Sequence, residues 1–183
     1  MVKGRWMAVI REATLEDVPG IARVHIESWR TTYKGMVSQS IIEGFTYEQR
    51  EALWRRALDP GNASFVYVAE EGGEVVGFAS GGPAREDAPN HAAELYAIYL
   101  LQEHQGKGMG RRLFDAVVQE LARRGLYSMA IWVIAENPAC GFYEAMGGRK
   151  VYEREEEAGD KMLLEIGYGW DDIAALAGGV REV

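Results

Sequence analysis

The chain has little of several things, and each shortage removes a class of function. One cysteine in 183 residues, Cys140, excludes an intrachain disulfide and a thiolate metal cluster, which fits a reducing compartment. Three scattered histidines, His25, His91 and His104, show no ligand spacing, so no metal site is expected. No stretch approaches the roughly twenty apolar residues that a membrane span needs, and the basic start Met1-Val2-Lys3-Gly4-Arg5-Trp6 lacks an apolar run behind it. A cytoplasmic protein with no membrane partner is expected. Positive charge is also short: the formal balance is -8, which argues against nucleic acid, whose binding rests on Lys and Arg neutralising phosphates. The same balance favours a cationic small substrate such as an amine.

What is present is a chain 48% hydrophobic, long enough for one well-buried domain and short for two. Its centre is Gln105-Gly106-Lys107-Gly108-Met109-Gly110-Arg111-Arg112. The apolar run Leu95-Tyr96-Ala97-Ile98-Tyr99-Leu100-Leu101 before it reads as a buried strand, and Leu113, Phe114, Val117, Val118 and Leu121 after it fall at helical spacing. A glycine-rich turn that opens a helix is a place for an anion. The first helical N–H groups have no intrahelical partner, and glycine lets the main chain approach a phosphate. The segment fails as a P-loop, because Lys107 precedes the relevant glycines and no Ser or Thr follows them. It fails as G-x-G-x-x-G as well, since the third position holds Arg111 or Leu113.

Along the rest of the chain, Met7 to Ala13 reads as a first strand, and Thr14-Leu15-Glu16-Asp17 as a capping-box start, with Pro19 in the first turn of a helix to Tyr33. Thr46-Tyr47-Glu48-Gln49 starts a second helix to Leu58. Ser64 to Glu70 and Val75 to Ser80 form a hairpin around Gly72-Gly73, and Gly81 to Ala93 reads as a loop. Glu94 opens the central strand. The helix after the glycine loop closes at Gly125; a strand Tyr127 to Ile134 and a short helix from Asn137-Pro138 to Gly147 follow. Arg149 to Arg154 and Lys161 to Tyr168 complete the strands, with Glu155-Glu156-Glu157 as a solvated hairpin tip.

Gln105, Gly108 and Gly110 in the pattern Gln-x-x-Gly-x-Gly, together with Asn137-Pro138, Phe142-Tyr143 and Gly147, resemble the two cofactor motifs of the GNAT superfamily of acetyl-CoA-dependent N-acetyltransferases. The element order from Met7 to Tyr168 is also similar. The resemblance implies an α/β (α+β) fold. Its central sheet would be mixed, mostly antiparallel, with six to seven strands, splayed at a central parallel pair and flanked by helices. It implies one domain over 1–168 and a tail, 169–183, able to form a short helix. Departures are Gln102 where the family usually has Pro, Gly148 where Phe often follows Gly147, and one residue fewer between Asn137 and Tyr143.

Carried across residue by residue, the resemblance implies that Ile98, Tyr99 and Leu100 meet the pantetheine arm of acetyl-CoA through their backbone. Gln105, Gly106, Lys107, Gly108, Met109, Gly110 and Arg111 would hold its pyrophosphate, and Asn137 would lie near the acetyl end. Transfer would be direct, without a covalent intermediate on Cys140, and Tyr143 would protonate the leaving thiolate. Glu94, at the mouth of the central strand, reads either as the base that deprotonates the amine or as a strand-end acid. Trp29 and Tyr33, four apart on one helix face, read as packing aromatics or as a wall of the acceptor site. The acceptor implied by the resemblance is a small-molecule or peptide amine. A non-catalytic acyl-CoA-binding module and a protein N-terminal acetyltransferase stay open as alternatives. So does a homodimer, because the apolar tail Ile173-Ala174-Ala175-Leu176-Ala177 could pack on its own domain or on a second copy.

Overall fold

The computed structural model describes residues 8–178. A seven-stranded sheet runs in the order β1-β2-β3-β4-β5-β7-β6, from Val9–Glu12 (β1), Phe65–Glu71 (β2), Glu74–Pro83 (β3), Ala93–Leu100 (β4), Met129–Ile134 (β5), Arg149–Ala158 (β6) and Lys161–Trp170 (β7). Every neighbouring pair is antiparallel except β4 and β5, which are parallel, as expected. Between those two runs α4, Met109–Arg123, the crossover that a parallel pair requires. Its apolar stripe, Met109, Leu113, Phe114, Val117, Val118 and Leu121, is buried in the main core. Each such side chain contributes about 1.5–3 kcal/mol by leaving water. The Leu126 N–H reaches back to the Leu121 carbonyl at 3.0 Å, and Gly125, at φ +77, makes that closing turn.

The helix α1, Val18–Thr32, is fastened at its start by a carboxylate. Asp17 accepts from the Thr14 N–H at 2.8 Å and from both terminal nitrogens of Arg11 at 2.8 Å. The expected capping box is present, the Thr14 side chain facing the Asp17 N–H and the Asp17 carboxylate the Thr14 N–H, and Thr14 Oγ1 also lies 3.2 Å from Asp17 Oδ2. Helix α3, Tyr47–Ala57, starts as expected, Thr46 Oγ1 accepting from the Gln49 N–H at 3.2 Å.

The bend of β4 shapes the functional region. Ser80 and Gly81 on β3 face Ala97 and Leu95 on β4, so Tyr96 is an extra residue, a bulge that bends the strand. Pairing of β4 with β5 stops at Ala93–Met129 and Glu94–Ala130, while β5 continues along β7 to Ile134. The two central strands thus part just beyond Glu94.

Several boundaries differ from the sequence reading. The start at Met7 lies outside the described residues. An extra short helix, α2, spans Gln39–Glu43. β3 extends to Pro83, so Gly81 and Gly82 are sheet residues, not loop. The acidic run is not the hairpin tip: Glu155, Glu156 and Glu157 lie in β6 opposite Leu164, Leu163 and Met162, and the turn is Gly159-Asp160. β6 is an edge strand with much of its surface exposed, so charged side chains there need no apolar alternation and hide its pairing. β7 continues through Gly169 and Trp170, which pair with Ala130 and Met129. The Trp170 ring accounts for Gly148, where a Cβ would stand 2.6 Å from it. After α5, Ala139–Ala145, and β7, Ile173 is fully buried in the chain's own core, ahead of the last turn α6, Ala174–Ala177.

Candidate active site

At the end of β4 a 3-10 turn, Gln102–His104, leads into the glycine loop, and Gln105 Nε2 donates to the Leu100 carbonyl at 3.1 Å. Gly106 and Gly108 have φ of +71 and +80, which L side chains rarely adopt, whereas Gly110 is helical. Gly108 occupies the N-cap of α4 without offering a side chain. Among the described residues, the N–H groups of Gly106 through Arg111 find no protein acceptor. Six consecutive free donors at the positive end of a fifteen-residue helix form an anion cradle. Lys107 and Arg111 are exposed beside it.

A cavity of about 700 Å³ runs from this loop into the gap between β4 and β5. Ile98, Tyr99 and Leu100 line one side and Ile131, Trp132 and Val133 the other; Pro138, Ala139, Phe142 and Tyr143 close one wall, and Thr31, Thr32, Tyr33 and Met36 the far end. Past Glu94 the β5 side of β4 carries no strand, so its main-chain groups there can pair with an extended ligand as an added strand would.

Three tyrosines stand together at the inner end. Tyr143, on α5, is 4% exposed, and burial pushes its hydroxyl far above the ordinary phenol range. Tyr33 Oη lies 3.3 Å from Tyr99 Oη, and Asn137 Nδ2 donates to Tyr33 Oη at 3.5 Å. The Asn137 carbonyl accepts from the Ala139 N–H at 2.9 Å, which fixes its amide at the start of α5. Burial raises Tyr33 and Tyr99 as well, so all three phenols keep their protons.

Other expected residues lie elsewhere. Glu94 does not line the cavity: it is 1% exposed, at the last paired position before the strands part, and Oε2 accepts from Arg85 Nε at 3.0 Å and from the Arg85 N–H at 3.2 Å. Arg85 Nη2 holds Oε1, so neither oxygen is free for an amine. Trp29 packs behind Tyr33, with ring centroids 4.4 Å apart, and against Phe45 at 4.8 Å; it supports the wall without forming it. The Lys107 side chain does not line the cavity, and Met109 turns its side chain into the core, leaving only its amide to the cradle. Cys140 Sγ faces the Ile134 and Ala135 carbonyls at 3.6 and 3.7 Å and is absent from the lining. The Tyr99 hydroxyl, Trp132 and Met36 escaped the sequence reading. Tyr99 was visible there only as a strand backbone, and the other two become neighbours only through the gap.

None of the described side chains lining the cavity is an aspartate, glutamate or histidine. His25 lies behind Tyr99, stacked at 5.8 Å, with Nδ1 accepting from Trp54 Nε1 at 3.1 Å; burial lowers its pKa to about 4 and keeps it neutral. Among the described residues no group of acids, histidines or cysteines is arranged to hold a metal ion, and no helix is long and apolar enough to cross a membrane.

The sequence profile of the acetyltransferase (GNAT) family matches residues 24–148. The uncharacterized N-acetyltransferase YuaI of Bacillus subtilis is 42% identical over 171 residues, 93% of this chain and 96% of that protein. The L-amino acid N-acyltransferase MnaT of Escherichia coli is 37% identical over 75 residues, 40% of this chain and 43% of its own length. In structure, the PaiA N-acetyltransferase of Thermoplasma acidophilum, solved with coenzyme A, superposes with a TM-score of 0.68 at 20% identity, covering 87% of this chain and 98% of that one.

Proposed function

The chain belongs to the acetyltransferase (GNAT) family, acetyl-CoA-dependent N-acetyltransferases, and from that premise we propose that it transfers acetyl directly to a primary amine of a small molecule or peptide. The observation that carries this reading is the row of free amides from Gly106 to Arg111, opening onto a gap whose inner end holds Tyr143. Those amides suit a pyrophosphate, with Lys107 and Arg111 adding charge at the rim. Gln105 keeps the loop on the strand end. The free edge of β4 at Ile98, Tyr99 and Leu100 suits a pantetheine arm, whose two amides match a strand's donors and acceptors. Bound there, acetyl-CoA supplies an activated acyl carbon.

The chain's own part is to orient and to move protons. Tyr143, neutral and buried, gives its proton to the departing sulfur. An alkylammonium titrates near 10 and must first shed a proton, and Glu94, bound to Arg85, does not serve. Water takes that proton in this reading. An amino-acid acceptor draws support from the name of the E. coli relative.

The test is thiol release from acetyl-CoA, followed with a thiol reagent over a panel of amino acids, polyamines and peptides. Release that depends on an added amine is the expected result. Binding of acetyl-CoA with no amine-dependent release from any class would favour the acyl-CoA-binding module instead.

A further inference from the structure

The hydrogen-bond chain across the cavity's inner end gives a second residue a part in the chemistry. We infer that Tyr33 is a catalytic hydrogen-bond donor, aimed by Asn137, to the oxygen that becomes negative when the amine adds to the thioester. The inference rests on the acetyl-transfer reading above and goes past it by giving Tyr33 and Asn137 new roles: Tyr33 acts on the reacting atoms instead of walling the acceptor, and Asn137 positions Tyr33 instead of binding the cofactor.

The Asn137 carbonyl is taken by the Ala139 N–H, so its amide nitrogen must face Tyr33, and the Tyr33 oxygen accepts. Between Tyr33 and Tyr99 either hydroxyl could donate at 3.3 Å. When Tyr99 donates, both acceptor positions of the Tyr33 oxygen are filled, and its own proton points away from Asn137 and Tyr99. Tyr33 lines the same cavity as Tyr143.

The chemistry balances. The amine nitrogen bonds to the acyl carbon as the carbonyl pair moves onto oxygen, and the Tyr33 O–H donates to that oxygen without giving up its proton. When the pair returns, the C–S bond breaks and the Tyr143 proton goes to sulfur. The nitrogen sheds a proton that restores Tyr143 through water. A neutral donor fixed before the charge develops needs no reorganisation, which is why such donors count heavily.

The experiment compares wild type, Tyr33→Phe, Asn137→Asp and the double variant on any acceptor that supports turnover. Circular dichroism checks the fold and calorimetry the coenzyme A affinity. Asn137→Asp keeps an oxygen for the Ala139 N–H and withdraws the donor to Tyr33. Tyr33→Phe is expected to lower kcat on the order of a hundredfold with coenzyme A affinity unchanged. Asn137→Asp should lose a similar factor, and the double variant little more than either alone. A folded Tyr33→Phe with wild-type kcat, or with a loss confined to the acceptor KM, overturns the catalytic role. Full additivity in the double variant overturns the positioning role. A wild type that releases no coenzyme A with any amine ends the acetyl-transfer reading itself, a result distinct from a silent Tyr33 in an active enzyme.

Discussion

Adding one methyl group at Gly110 should make the protein more stable and a worse binder of coenzyme A. Gly110 sits in the first turn of α4 with helical φ, so alanine fits its backbone without strain. A Cβ there would stand 3.5 Å from Leu100 Cδ1 and 3.7 Å from Phe142 Cε2, ordinary van der Waals separations. Replacing glycine by alanine in a helix stabilises by roughly 0.5–1 kcal/mol, so Gly110→Ala should gain about 0.5 kcal/mol near the helix end. Side chains on a helix lean toward its N-terminus, which is where an anion on the first amides would lie. The methyl group therefore crowds the ligand, and affinity should fall about tenfold, or 1.4 kcal/mol. Gly108→Ala makes the control. At φ +80 and with nothing within 4 Å of a Cβ, its whole cost is conformational, about 1–2 kcal/mol of lost stability, with affinity falling as the loop relaxes. Urea unfolding and calorimetric titration with coenzyme A measure both quantities. Opposite signs in stability with the same sign in affinity are the expected pattern. A Gly110→Ala protein that binds coenzyme A like wild type would remove this loop as the phosphate site.

Tyr143→Phe should cut kcat on the order of a hundredfold while leaving stability and coenzyme A affinity nearly unchanged, since only a hydroxyl is lost; full activity at neutral pH in steady-state assays would end its role as the acid. Glu94→Gln should act on stability: it strips Arg85 of its ion pair in a site where the carboxylate is buried and the guanidinium largely exposed, costing about 1–3 kcal/mol, with kcat retained below the melting temperature. A Glu94→Gln enzyme that melts like wild type yet loses turnover would return the base to Glu94. Stability should also fall in acid through His25, whose pKa drops from 6.5 to about 4 on burial. Below pH 6.5 the unfolded chain binds a proton that the folded chain refuses, so about 3 kcal/mol is lost as pH falls from 6.5 to 4. Urea unfolding across that range should flatten in His25→Gln, and an unchanged slope would contradict the buried neutral imidazole.

The sequence by itself determined the parts that depend on neighbours along the chain. The left-handed Gly106 and Gly108, the helix they open, the Thr46 cap and the hairpin at Gly72-Gly73 follow from local backbone chemistry, and the spacing of Gln105, Gly108 and Gly110 with Asn137 and Tyr143 carried the family. Tertiary structure decided what each functional side chain meets. Nothing near Glu94 in sequence marks Arg85, nine residues earlier and just past the end of β3, as the partner that holds both of its carboxylate oxygens. The bulge at Tyr96 that opens the gap is a matter of register between strands, and register shows only once β3 and β4 are paired. Tyr33 meets Tyr99 over 66 residues and Asn137 over 104, because α1 and α5 converge on one end of the cavity. Local chemistry sets backbone conformation within a few residues; which donor meets which acceptor across the chain is set by packing, which no local pattern encodes.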